Sequence, residues 1–308
     1  MTSPNLTIGS RGSDLALYQA NFIRDILTTR HGCDVNIQII KTAGDKIDNV
    51  SFDKMEGKGF FTKELEDALL AREIDLAVHS LKDLMTTQPE GLKLGAAGYR
   101  ANRHELLLIN PKAFSEIDAL FVKPGSIVGT SAARRKAQIA FHNPQLKIED
   151  LRGNVPTRVI KLRKGQYDAI LIAAAGVERL NLDLTGIVAV PLDPQVFLPA
   201  PAQGILGIQI RTGDPTVEDV ISKLGSSEDM AAAQLERGLL AKFDSGCSLP
   251  LGVYSEKQGS EYRLKAVLGV RAGDGWAGLR RTEVSGRDIP RLVEEAYSRL
   301  QEAAVCRA

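Results

Sequence analysis

Leu6-Thr7-Ile8-Gly9-Ser10-Arg11-Gly12-Ser13-Asp14-Leu15 reads as a strand that turns sharply into a helix, and this unit decides the fold. Residues 6–9 form the strand, after which Leu15, Tyr18, Phe22 and Ile26 recur at spacings of three and four and mark a helix face. Val35, Ile37 and Ile39 alternate with polar residues as a strand does, and residues 41–59, glycine-dotted and charged, read as a mobile loop. Phe61, Leu65, Ala68 and Leu69 then give a helix and Leu76-Ala77-Val78 a buried strand. Alternating β and α elements predict a parallel sheet covered by helices.

The pattern restarts at Ser126-Ile127-Val128, followed by Gly129-Thr130-Ser131 and a helix-like stretch over 132–141. Residues 148–151 read as a strand, 155–163 as a helix with Asn154 as cap and Pro156 in its first turn, and 167–173 as a strand. A connection rich in proline (Pro191, Pro194, Pro199, Pro201) looks like a crossing between domains, with 203–211 a strand beyond it. From Ser226 a helical pattern leads into a cysteine loop, then 251–254, 262–269 and 276–283 read as antiparallel strands. Ile289, Leu292, Val293, Ala296 and Leu300 close the chain with an amphipathic helix. The expected class is α/β, with two α/β domains and a small C-terminal α+β domain.

At 308 residues the chain exceeds the usual single-domain size. Its 39 basic residues balance 38 acidic ones, which argues against a nucleic-acid footprint. No apolar signal-like segment precedes Leu6, and the longest near-continuous apolar run, 169–177, is too short to cross a bilayer. Three scattered cysteines, Cys33, Cys247 and Cys306, make a disulfide framework implausible and fit a reducing cytoplasm.

Three strand-to-helix turns carry arginine beside glycine and hydroxyl or amide groups: Ser10-Arg11-Gly12-Ser13, the stretch from Gly129 to Arg135, and Arg152-Gly153-Asn154 with Arg158 one turn on. Free backbone N–H groups and guanidinium forks at such turns suit anions, and planar carboxylates above all. No Walker motif or dinucleotide fingerprint supports phosphate as the ligand. Ala77-Val78-His79-Ser80-Leu81-Lys82-Asp83 ends a strand with an adjacent cation and acid, either a solvated pair or an acid facing a developing cation. Asp244-Ser245-Gly246-Cys247-Ser248-Leu249-Pro250 is a shaped turn whose cysteine reads either as a small buried apolar residue or as an attachment point, with no second ligand nearby for a metal.

Taken together, Arg11-Gly12-Ser13 with Leu15-Ala16-Leu17-Tyr18-Gln19-Ala20, the run from Gly57 to Glu66, Ala77 to Asp83, Gly129-Thr130-Ser131, Arg134-Arg135, Arg152-Gly153-Asn154-Val155 and Gly246-Cys247 resemble the porphobilinogen deaminase (hydroxymethylbilane synthase) family over nearly the whole chain. The resemblance implies two lobes like those of periplasmic-type binding proteins and a third domain carrying the cysteine. The expected boundaries are 1–101 with 203–222, 102–202, and 223–308. It implies a transferase that joins four porphobilinogens head to tail into linear hydroxymethylbilane, releasing ammonia, with no metal; composition and pattern add the expectation of a cytoplasmic monomer that engages neither nucleic acid nor membrane. The primer is one dipyrromethane per chain, held by a thioether to Cys247. Asp83 is then the catalytic acid, stabilising positive charge on pyrrole nitrogen. Cofactor contacts fall to Cys247, Lys82, Asp83, Ser13, Thr130, Arg134 and Arg135, and substrate contacts to Arg11, Ser13, Arg152, Arg158, Arg179, Gln203 and Gly204. Lys54 and Lys58 belong to a lid loop.

The chain departs from the family's pattern at Asp14, Ala43, Met85, Ala132 and the stretch 101–105, which leaves room for a slow or inactive diverged relative. A non-catalytic cytosolic binding protein for small carboxylates is the rival reading, since fold alone never proves chemistry. A redox-sensing thiol protein is a further rival and requires an exposed, acidic Cys247.

Overall fold

The strand-helix unit at the N-terminus forms as the spacing predicts, with β1 (Asn5–Ser10) running into α1 (Asp14–His31), but the inward face of α1 is rotated and keeps only Ile26 of the expected set buried. Gln19, Ala20, Ile23, Ile26 and Leu27 are buried, whereas Tyr18 is 42% and Phe22 36% exposed. Both sets have helical spacing, and the small Ala20 permits closer approach to the sheet than either aromatic ring. The computed structural model describes residues 4–42, 62–243 and 249–306.

Among the described residues the first unit comprises 4–42, 62–101 and 202–233. Besides β1 and α1 it holds β2 (Asp34–Ile39), α2 (Lys63–Leu70), β3 (Leu76–Ser80) and β4 (Leu92–Gly98). The second unit follows with β5 (Glu105–Ile109), β6 (Ile127–Gly129), α3 (Ala133–His142), β7 (Lys147–Glu149), α4 (Val155–Arg163), β8 (Ala169–Ala173), α5 (Ala174–Arg179) and β9 (Val188–Leu192). The chain then returns to the first unit for β10 (Leu206–Arg211), α6 (Pro215–Ile221) and the start of α7 (Ser227–Ala241). It ends in the second unit with β11 (Leu251–Gln258), β12 (Glu261–Ala272), β13 (Gly275–Gly286) and α8 (Ile289–Glu302).

The first sheet has the order β2-β1-β3-β10-β4 and the second β7-β6-β8-β5-β9. Neither is purely parallel, contrary to expectation. β10 runs antiparallel between β3 and β4, and β5 antiparallel between β8 and β9. In each sheet the reversed strand is the one that follows a crossing from the other unit, a connection that hydropathy does not reveal. Two such mixed sheets give two α/β lobes. The third sheet, β11-β12-β13, is antiparallel and packs its apolar face with α8 and Leu235 and Leu239 of α7, forming the small C-terminal domain. Contacts group this domain with the second sheet in one unit, and all of α7 up to Ala233 with the first.

The strand expected over 203–211 begins only at Leu206. Gly204 has φ +88, and a Cβ there would lie 2.4 Å from the Ala101 carbonyl oxygen, so Gln203 and Gly204 form a turn. Among the described residues no helix is long and apolar enough to cross a membrane.

Candidate active site

At the end of β1, Ser10 is buried and its Oγ donates to the Arg11 carbonyl at 3.0 Å. Ser13 then caps α1, its Oγ accepting from Ala16 N at 3.4 Å, and half-buried Arg11 lies between them. β3 is the parallel neighbour of β1, so its end lies at the same edge of the sheet. It continues into a single 3-10 turn, Leu81–Asp83, anchored by buried Leu81, whose N–H donates to Ile205 O at 2.9 Å. The anchor leaves Lys82 half-buried and Asp83 exposed. Gln19 Nε2 donates to Ser80 Oγ at 2.8 Å, tying α1 to the end of β3.

Leu206 of antiparallel β10 pairs with Ser80, which brings the Gln203-Gly204 turn to that same edge. Lys82 Nζ donates to Gln203 Oε1 at 3.4 Å, and Gly204 O accepts from Ala101 N at 3.0 Å. Arg11, Ser13, Lys82, Asp83, Gln203 and Gly204 thus share one end of the first sheet.

In the second unit Gly129 ends β6 against the Tyr167 ring, where a Cβ would meet ring carbon at 2.7 Å. Thr130 N donates to Glu149 O, Thr130 Oγ1 accepts from Ala132 N at 3.4 Å, and Ser131 Oγ donates to Leu151 O at 2.9 Å. Arg134 and Arg135 open α3 and are 6% and 5% exposed. Both reach Glu105, fully buried at the start of β5. Arg134 Nη2 lies 2.6 Å from Oε1, and Arg135 Nη2 and Nε lie 2.7 and 2.9 Å from Oε2. Arg134 Nη1 donates to Leu198 O and Arg135 Nη1 to Leu171 O. Burial pushes the Arg134 pKa down against the upward pull of Glu105. Two guanidinium groups on one carboxylate leave net positive charge at this turn.

Arg152 and Arg158 are half-buried around the start of α4. Asn154 Oδ1 caps the helix by accepting from Thr157 N at 2.9 Å, and Arg158 Nε donates to Gly153 O at 2.8 Å. Arg179, half-buried, ends α5. Cys247, Lys54 and Lys58 lie outside the described residues, as does Ala43.

Each sheet therefore collects cationic and amide groups at one edge, with a carboxylate at the edge of the first. A family model for the porphobilinogen deaminase dipyromethane cofactor binding domain matches residues 6–219, and one for the porphobilinogen deaminase C-terminal domain matches 230–290. The chain belongs to the porphobilinogen deaminase family. The porphobilinogen deaminase of Maridesulfovibrio salexigens is 42% identical over 84% of this chain and 82% of its own. That of Pelobacter propionicus is 39% identical over 97% and 94%. A periplasmic substrate-binding protein of Coxiella burnetii is 14% identical, with a TM-score of 0.43 over 74% of this chain and 95% of that one. The matched cofactor domain of the deaminase family spans both five-stranded sheets, and its C-terminal domain spans the three-stranded one.

Several departures from the deaminase pattern have structural roles here. Asp14 is an acid in the first turn of α1, where the helix dipole favours it. Ala132 leaves α3 without a side-chain cap. The stretch 101–105 ends in Glu105, the partner of both buried arginines, which sequence reading missed. An acid heading the apolar run Leu106-Leu107-Leu108-Ile109 was the available signal, because a charge on a buried strand needs a counter-charge. Gln138 was also missed; it brackets Leu198, accepting from its N–H and donating to its carbonyl. Cys33 is buried, which pushes its thiol pKa up, opposite to what a redox sensor requires.

Proposed function

We propose that this chain joins four porphobilinogen molecules head to tail into linear hydroxymethylbilane, releasing ammonia, on a dipyrromethane primer that Cys247 holds as a thioether. The observation that carries the reading is the gathering of Arg11, Ser13, Lys82 and Gln203 with Asp83 at one sheet edge. Carboxylated pyrroles need donors for their acetates and propionates and an acceptor for their ring N–H groups, and this set contains both.

The donor set fits the cofactor. Lys82 is oriented by its bond to Gln203, Ser13 and Thr130 stand at strand ends, and Arg134 and Arg135 contribute the net charge left over from Glu105. When bound, dipyrromethane supplies the free pyrrole α-carbon from which the product grows. Asp83, exposed beyond a buried anchor, accepts pyrrole N–H bonds and stabilises the positive charge on porphobilinogen as its aminomethyl group loses ammonia. Arg11, Arg152, Arg158 and Arg179 bind carboxylates through their forked donors, each charge-assisted bond contributing about 1.5–3 kcal/mol. Gly204 allows close backbone approach, and Lys54 and Lys58 act from the lid loop. Each addition breaks one C–N bond, forms one C–C bond and removes the proton of the attacking pyrrole α-carbon, which leaves with the ammonia; after four additions water cleaves the C–C bond to the primer and supplies the hydroxyl of the product.

One copy of the chain carries both sets of groups, which supports a monomer. The near-neutral charge and sparse cysteines support a cytoplasmic protein that works without nucleic acid or membrane. Incubation with porphobilinogen tests the reading. Ammonia should appear one for one with substrate consumed, and the product should have the mass of four joined units; binding without consumption would leave a carboxylate-binding protein.

A further inference from the structure

His79 lies in the stretch that ends at Asp83, yet the site leaves it without a role. It is 7% exposed on β3, and its Nε2 lies 3.0 Å from Oε1 of Gln209, a fully buried side chain on β10. Gln209 Nε2 donates to Glu66 Oε1 of α2 at 3.2 Å and to Gln88 Oε1 at 2.8 Å. Both amide hydrogens are thereby used, so Oε1 must accept and His79 Nε2 carries the proton. Gln88 in turn donates from Nε2 to Met85 O at 2.7 Å, closing the loop that leaves Asp83.

This chain of bonds links both flanks of the acid. His79 lies four residues before Asp83 and Gln88 five after, and a single amide, Gln209, holds both. Buried polar groups that satisfy one another specify one arrangement, whereas a broken link leaves an unpaired group in the interior. Leu84, buried and extended with φ −83 and ψ 135, ends the 3-10 turn, and the Gln88–Met85 bond braces the loop that follows.

We infer that Gln209, through His79 on one side and Gln88 on the other, positions the Lys82-Asp83 turn. The functional consequence rests on the reading of Asp83 given above; the geometric one does not. Gln209 and Gln88 are positioning residues and touch no reacting atom.

The test compares Gln209→Leu and Gln88→Ala with the parent by amide exchange and by porphobilinogen turnover. Exchange over residues 81–88 should accelerate about tenfold while that over α4 stays unchanged, and kcat should fall about tenfold with KM within about twofold. The double variant should lose no more kcat than Gln209→Leu, because both links belong to one network. Parent-like exchange over 81–88 in Gln88→Ala, a half-exposed loop substitution that spares the core, overturns the inference even if Gln209→Leu fails to fold. A parent that exchanges as expected but consumes no porphobilinogen would refute the assigned reaction and leave the positioning to the exchange result.

Discussion

The first and second sheets end their strands in the same kind of turn, but they treat the cations there differently. In the first, Arg11 and Lys82 remain half-buried and Asp83 is exposed. In the second, Arg134 and Arg135 are drawn under the surface onto Glu105, while Arg152 and Arg158, one strand over, stay half-buried. The same kind of turn therefore holds its arginines either near the surface or against a buried carboxylate. What decides is whether the fold supplies a buried carboxylate first, since a buried guanidinium cannot do without one.

Glu105→Ala probes this difference with the largest expected effect. It strips two buried guanidinium groups of their carboxylate and should cost about 3–5 kcal/mol of stability, read as a drop of about 10 °C in melting temperature. A parent-like melt would place Arg134 and Arg135 with the half-buried set. On the first sheet Asp83→Ala should do the reverse, sparing the melt and raising the barrier by about 2.7–4 kcal/mol, a loss of about 100- to 1000-fold in kcat. Near-normal turnover would remove Asp83 from the chemistry.

The half-buried arginines of the two sheet edges should affect steps rather than folding. Arg152→Ala and Arg11→Ala should each cost about 1.5–3 kcal/mol of binding. Intact-mass spectra should show partly elongated species in the first and cofactor-poor protein in the second. The same distribution in both would erase the distinction between the two edges. The smallest effects concern the helix caps that carry these side chains. Asn154→Ala should lose about 1 kcal/mol from α4, whereas Ala132→Ser, which gives α3 the hydroxyl cap it lacks, should gain about 0.5–1 kcal/mol. Equal melts for both would show that neither cap limits stability.

Local signals were legible in the sequence. Asn154 and Pro156 mark the start of α4, and its observed bounds, Val155–Arg163, are those that the pattern predicts. The turns bearing Arg11, Lys82-Asp83 and Thr130 also fall at strand ends as read. Long-range partnerships were not legible. Strand direction in β5 and β10 depends on crossings between units, the inward face of α1 depends on how closely Ala20 meets the sheet, and Glu105 is separated by 29 and 30 positions from the arginines it neutralises. β4, β5 and β9 escaped because their short apolar runs lack a period that separates them from loops.

The claim on which the account stands is a covalent primer on Cys247, and intact mass tests it most directly. The purified protein should exceed its polypeptide mass by two porphobilinogens less two ammonias, and the Cys247→Ser variant should not. A bare polypeptide mass in the parent, even after incubation with porphobilinogen, would contradict it.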